Sequence, residues 1–197
     1  MSDKLLFSEI RIGLSNPWGR AHLYNFHTEN GQKTLNDFIE MYNINNVIDY
    51  GCGTTNGTRG INIPVFNYDP AIVKYQEHPT TTADLVVSYN VLNNVEEIYL
   101  DNVLEDIVDL TNRYALFNIP IGAEMFRNLL NWPKELEIFK NKDTVFWINF
   151  ISKYLKIKEC FYTKIQSEII NTNLTTNTIY PTQKSKFENF YIFAEKY

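Results

Sequence analysis

Apolar positions along this chain follow two periods, and the alternation between them predicts the fold. In KTLNDFIEMYNIN, Leu35, Phe38, Ile39 and Tyr42 stand at i, i+3, i+4 and i+7, one face of a helix. NNVIDYGCG follows as a short apolar run that ends in a glycine turn, the pattern of a strand. PVFNYD at 64–69 predicts a second strand, and AIVKYQE a short helix stopped by Pro79. ADLVVSYNV is continuously apolar, as strands buried on both faces are. IYLDNVLEDIVDLTN spaces Leu100, Val103, Leu104, Ile107, Val108 and Leu110 as a helical stripe. YALFNIP reads as the next strand and DTVFWINFISKYL as the next helix. KIKECFYTKI and FENFYIFAEK read as two last strands joined by the loop around NTNLTTNT. Helices alternating with short strands predict an α/β fold with a doubly wound, mostly parallel sheet. A loop in place of a helix between the last two strands predicts an antiparallel C-terminal hairpin at one edge. The segment up to about Gly31 shows neither period and reads as irregular. Residues 1–31 are therefore expected to be an arm or lid of the same domain, and 32–197 its body.

Composition narrows the class. At 197 residues, 44% hydrophobic and 21% charged, the chain has the size and balance of one globular domain. No run of eighteen apolar residues occurs, so no membrane span is expected. MSDKLLFSEIRIG interrupts its apolar residues with charges too often for a signal peptide. Cys52 and Cys160 are too few for a disulfide framework. A cytoplasmic protein is the expectation. The net charge of −5 divides unevenly: residues 1–133 carry 8 Lys/Arg against 16 Asp/Glu, and 134–197 carry 10 against 7. A general nucleic-acid binder concentrates basic residues on one face, and this distribution gives no such signal.

The chemistry-bearing feature is Val47-Ile-Asp-Tyr-Gly-Cys-Gly53, with Asp69 at the end of the next strand. Glycines after a first strand let a ligand approach the backbone where a side chain would collide. An acidic residue some twenty positions on, at the tip of the second strand, can accept hydrogen bonds from a ribose diol. A complete Gly-x-Gly-x-x-Gly, the dinucleotide fingerprint, is not present: the loop reads Gly51-Cys-Gly53-Thr-Thr-Asn56.

VIDYGCG resembles the first motif of class I S-adenosylmethionine-dependent methyltransferases, FNYDPA their second, and ADLVVSYNVLNNVEE their fourth strand. The resemblance covers roughly residues 34–120. It implies S-adenosyl-L-methionine as cofactor, with Gly51, Cys52 and Gly53 flanking its methionine part and Asp49 helping to organise it. It also implies that Asp69 holds the ribose hydroxyls and that Ser88 to Asn90 lie beside the cofactor. The chain departs from the family at Thr55, where a third glycine is usual, and at Asn94, where many relatives have His. TTNGTRGINIP is a poor helix where the family has one. The interval from Asp69 to Asp84 leaves little room for a third strand, and the family's acidic adenine contact on that strand has no counterpart. Asn118-Ile-Pro120 resembles in outline the Asn-Pro-Pro-Tyr motif of amino-group methyltransferases, but with one proline and no aromatic after it, and it reads as a strand end.

In this family residues before the first helix often close over the cofactor. Trp18, Arg20, His22, Tyr24, His27 and Glu29 stand there within twelve positions. Arg20 is a candidate for the cofactor carboxylate, since a guanidinium pairs with carboxylates through two parallel bonds. His22 and His27 are candidate general bases, because imidazole titrates near neutral pH. The competing reading makes them packing and surface residues of the arm. The spacing of His22, His27 and Glu29 matches no zinc pattern, and no metal is expected. Trp132 and Trp147 read as core. The function these features predict is methyl transfer to a small-molecule or specific macromolecular acceptor. The alternatives are an inactive cofactor-binding or partner protein on the same fold, and a doubly wound domain for another nucleoside ligand. Oligomeric state is not legible.

Overall fold

The computed structural model describes residues 25–28, 31–53, 58, 60–121, 142–166 and 186–197. Eight strands and three α-helices lie in them: β1 (Asn25–Thr28), β2 (Gly31–Thr34), α1 (Leu35–Met41), β3 (Val47–Tyr50), β4 (Val65–Tyr68), β5 (Ala83–Tyr89), α2 (Leu100–Leu110), β6 (Thr111–Ile121), α3 (Thr144–Ile151), β7 (Leu155–Gln166) and β8 (Lys186–Lys196). Six of the strands form one sheet in the order β4-β3-β5-β6-β8-β7. β4, β3, β5 and β6 run parallel, and β8 pairs antiparallel with both β6 and β7. The expected α/β architecture and its antiparallel edge hairpin are both present.

Side-chain alternation builds two cores, one on each face of the sheet. Ile48, Tyr50, Val86, Phe117 and Ile192 face α2 and α3, which contribute Val103, Leu104 and Ile107, and Trp147, Phe150 and Ile151. Val47, Leu85, Val87, Leu116 and Phe193 face Leu35, Phe38 and Ile39 of α1. Burial on both sides explains why these strands read as unbroken apolar runs. On the α1 side, Tyr42 packs on Phe193 with ring centroids 4.7 Å apart, and Tyr114 stacks on the same ring at 5.2 Å. Trp147 is a core residue, as expected, and Trp132 lies outside the described residues. Asp143 caps α3 by accepting from the Phe146 N–H at 2.7 Å.

Four local points correct or sharpen these expectations. The chain before α1 is not irregular throughout, because β1 and β2 pair antiparallel, with Asn25 opposite Thr34 and Thr28 opposite Gly31. This pair enters α1 directly. AIVKYQE yields only a 3-10 turn, Val73–Tyr75. Between β3 and β4 the described residues, 51–53, 58 and 60–64, carry no helix. Gly57, Gly60 and Pro64 disfavour one there. The interval from Asp69 to Thr82 holds no strand, so β4 is an edge of the sheet. Among the described residues no helix is long and apolar enough to cross a membrane.

Candidate functional site

β3, β4, β5 and β6 end on the same side of the sheet, and their tips gather the residues that the sequence singles out. In open α/β sheets ligands bind at these carboxyl ends. The turn after β3 is hooked to the tip of β4: the N–H groups of Gly51 and Cys52 both donate to the Tyr68 carbonyl, at 2.7 and 3.0 Å. Gly51 has φ +77° and Gly53 φ +53°, left-handed conformations that favour glycine. A Cβ at Gly51 would collide with the Val91 side chain, whereas one at Gly53 would meet nothing within 4 Å among the described residues. Gly51 thus serves conformation and packing, and Gly53 serves conformation.

Asp69 ties the glycine turn to β4. Its Oδ2 accepts the Gly53 N–H at 2.9 Å and its Oδ1 the Ala71 N–H at 2.9 Å. A carboxylate has about four acceptor positions, so these bonds leave about two for a ligand's hydroxyl groups. The Asp69 backbone is held in turn, its N–H donating to the Tyr75 carbonyl at 2.8 Å. Burial raises the pKa of this carboxyl, opposed by the bonds from Ala71 and Gly53. The short 3-10 turn after β4 is therefore the clamp for Asp69.

Asp49, in register with Asn67 of β4 and Val87 of β5, is buried on the α1 side of the sheet. It accepts one hydrogen bond, from the Thr58 hydroxyl at 3.0 Å. Burial pushes its pKa to about 7, with Asp69 adding repulsion and Thr58 pulling the other way. Neither Asp49 nor Asp69 forms an ion pair among the described residues. Burial, with the charges of Asp49 and Asp69, pushes the Cys52 thiol well above its ordinary range and so favours its neutral form. Two buried carboxyls beside a glycine turn, without an ion pair among the described residues, suit a ligand that brings positive charge and hydroxyl groups.

Ser88 and Asn90 stand at the end of β5. Ser88 is buried and its hydroxyl has no partner among the described residues. Asn90 has φ +57°; its N–H donates to the Asn118 carbonyl at 3.0 Å and its own carbonyl accepts from the Asn94 side chain. The Asn90 Oδ1 is likewise without a partner. The structure therefore brings Asp49, Gly51, Cys52, Gly53, Asp69, Ser88 and Asn90 to one end of the sheet. Arg20 and His22 lie outside the described residues, as does Thr55; His27 stands in β1, with its side chain outside them. Among the described residues no group of three His, Cys, Asp or Glu side chains is arranged to hold a metal.

Sequence reasoning missed three contributors. Thr58 reaches Asp49 from nine positions further along the chain, and Val91 fills the space that Gly51 leaves; neither carries a motif signal. Behind the site, the Tyr50 hydroxyl donates to Asp106 of α2 at 2.7 Å, and His78 Nε2 lies 2.9 Å from the same carboxylate. His78 packs edge-on against Tyr68. This network binds the segment after β4 to α2 and so braces the Asp69 turn.

No protein-family model matches the chain, and no curated protein matches it in sequence. Solved structures do resemble it. TehB from Haemophilus influenzae matches with TM-score 0.52 and 14% identity over 82% of this chain, which spans 60% of that protein. Magnesium protoporphyrin IX methyltransferase from Synechocystis, with bound S-adenosylhomocysteine, matches at 0.54 and 10% identity over 82% of this chain and 80% of that one. MccD matches at 0.54 and 11% identity over 82% and 95%. At these identities the likeness establishes a shared fold, that of class I methyltransferases.

Proposed function

We propose that this chain binds S-adenosyl-L-methionine at the tips of β3, β4 and β5 and transfers its methyl group to an acceptor. The observation that carries this reading is Asp69, a buried carboxylate that pins the Gly53 N–H and keeps lone pairs for a ribose diol. The cofactor supplies a methyl carbon made electrophilic by the positively charged sulfonium that bears it. In this reading Asp69 binds the ribose and Gly53 lets the ligand approach the main chain. Asp49 and Asp69 together attract the cofactor's positive charges. Ser88 and the Asn90 Oδ1, buried without partners, gain hydrogen bonds when the site fills. Holding donor and acceptor aligned is itself worth several kcal/mol of the barrier. Residues 1–31 are proposed as an arm that closes over this end of the sheet, with Arg20 on the cofactor carboxylate and His22 or His27 as general base. The fold neighbour in which S-adenosylhomocysteine is bound supports the cofactor assignment. The acceptor is a small molecule or one specific macromolecular site, and the setting proposed is the cytoplasm.

A second reading, an inactive cofactor binder, draws support from one feature: the interval after Asp69 has no third strand and so no acidic adenine contact of the family's kind. Calorimetric titration with S-adenosylmethionine separates the possibilities. Micromolar binding that Asp69→Ala weakens at least tenfold, about 1.4 kcal/mol, supports the pocket. No binding by wild-type protein freed of copurified ligand refutes it. Binding without transfer of labelled methyl to any acceptor in a broad panel favours the second reading.

A further inference from the structure

The segment from Asp69 to β5 carries no strand, and residues 70–78 contribute no buried side chain. Its first part is bonded to itself. The Asp69 N–H donates to the Tyr75 carbonyl at 2.8 Å, the Ile72 N–H to the Asp69 carbonyl at 3.1 Å and the Tyr75 N–H to the Ile72 carbonyl at 2.7 Å. Three residues on, His78 fastens this turn to the body of the domain. The Nε2 of its ring lies 3.1 and 2.9 Å from the two carboxylate oxygens of Asp106, and its Nδ1 lies 2.9 Å from the Pro79 carbonyl. The ring also packs edge-on against Tyr68, with centroids 5.0 Å apart. Asp106 is the fixed side of this contact, because α2 buries Val103, Leu104 and Ile107 and the Tyr50 hydroxyl donates to the same carboxylate at 2.7 Å.

Both nitrogens of the His78 ring face oxygens that accept, one of a carbonyl and the other of a carboxylate. A neutral imidazole carries one N–H and an imidazolium two, so the two bonds exist together only in the protonated ring. The positive charge also strengthens the bond to Asp106. Loss of the proton removes one bond and the charge pairing, in a contact whose histidine side chain is 44% exposed and whose aspartate is 14% exposed. The titratable groups on the elements around the ring are Asp106 of α2, with Glu105 beside it and Asp109 one turn on, Tyr68 of β4, and Tyr50 of β3 through Asp106. Its own segment adds Lys74 and Glu77.

We propose that His78 is a positioning residue for the cofactor: protonated, it ties the segment after β4 to α2 and holds Asp69 in its binding geometry, and neutral, it lets that segment loosen and lowers affinity for a ribose-bearing ligand. This inference rests on the cofactor reading. The coupling runs through the self-bonded turn between the two residues. A ligand that needs Asp69 in place binds in proportion to the fraction of molecules that hold it there, so a threefold weakening means that this fraction has fallen to about one third. An ion pair with one half-exposed partner shifts an equilibrium by up to about fivefold, which sets the size of the effect.

The test compares wild type with His78→Gln, which keeps a donor for Asp106 and carries no charge at any pH. Calorimetric titration with S-adenosylhomocysteine at about pH 5.5 and about pH 8.5 brackets the ordinary titration of imidazole. Asp49 also ionises in this range, but it does so in both proteins, so the ratio of their affinities isolates His78. Wild type is expected to bind about threefold to fivefold more tightly than the variant at the lower pH, and within about 1.5-fold of it at the higher. A ratio that does not change with pH overturns the proposal, since lost packing acts equally at both, and so does a ratio that grows with pH. In Asp106→Asn protein, which lacks the partner charge, the same comparison is expected to show no pH dependence; a dependence kept there overturns the proposal as well. If wild type binds no S-adenosylhomocysteine at either pH, the cofactor reading is what fails. Nuclear magnetic resonance of the ligand-free protein then decides the coupling by itself. The Ala71 amide proton, which donates to Asp69, is expected to shift in step with the His78 ring as pH rises in wild type, and to lose that step in His78→Gln. An Ala71 amide that ignores the ring overturns the proposal.

Discussion

Replacing Asp49 with asparagine tests the electrostatics of the site without disturbing its shape. Asp49 is buried, accepts one hydrogen bond from Thr58 and sits beside a second carboxyl, Asp69. Its pKa moves from 3.8 to about 7. At about 1.36 kcal/mol per pH unit of displacement, ionising it in the folded state costs on the order of 4 kcal/mol. Below pH 3.8 the group is protonated in both folded and unfolded chains and the cost is absent. Between 3.8 and about 7 the folded state holds the proton that the unfolded state has released, so stability falls as pH rises. Above about 7 the cost is complete and constant. Asparagine keeps the acceptor for Thr58 and cannot ionise, but its Nδ2 brings donors with no partner, offsetting about 1–3 kcal/mol. Asp49→Asn is therefore expected to be more stable than wild type by about 1–3 kcal/mol at pH 8. At about 2–4 °C per kcal/mol for a chain of this size, that is several degrees in melting temperature. Differential scanning calorimetry from pH 4 to 8 reads the difference directly. It should grow between pH 4 and 7 and level off above 7. A difference that stays constant with pH, or a variant less stable at pH 8, refutes the reasoning. The same variant should bind S-adenosylmethionine more weakly, since the group that burdens the empty fold attracts the ligand's positive charge.

Gly51→Ala combines a left-handed backbone with a Cβ driven into Val91; denaturant unfolding should show a loss of about 2–4 kcal/mol. Val91→Ala in the same background should recover part of it, whereas a full loss in the double variant would mean that backbone strain alone is responsible. Tyr50→Phe removes the 2.7 Å hydrogen bond to Asp106 and should cost about 1–2 kcal/mol in the same assay; an unchanged midpoint would mean that His78 alone holds Asp106. Asp69→Ala also leaves the Gly53 and Ala71 N–H groups without their acceptors. It should therefore lower the melting temperature of the ligand-free protein as well as weaken cofactor binding, and an effect on binding alone would mean that Asp69 does not brace the turn.

Much of the fold was legible because the inner strands β3, β5, β6 and β8 lie between two apolar layers and α1 and α2 each show a single apolar face. ADLVVSYNV and the stripe from Leu100 to Leu110 declare their burial in one dimension. The glycine turn was legible for a related reason: Gly51 and Gly53 occupy left-handed positions that other residues seldom adopt. The pairing of β1 with β2 was not, because NFHT and GQKT are short, polar and without alternation, so local sequence carries no strand signal.

The sequence by itself determined the order of the six strands of the main sheet and of the three α-helices, the glycine turn, and an acid at the tip of β4, because these depend on neighbours in the chain. Tertiary structure alone decided which polar groups meet. Thr58 on Asp49, Asp69 on Gly53, and Asp106 between Tyr50 and His78 all join residues distant in sequence. Asn118 makes the point most plainly. In the chain it is one more residue at a strand end, and only the packing of β5, β6 and β8 around it buries its carboxamide without supplying a partner among the described residues.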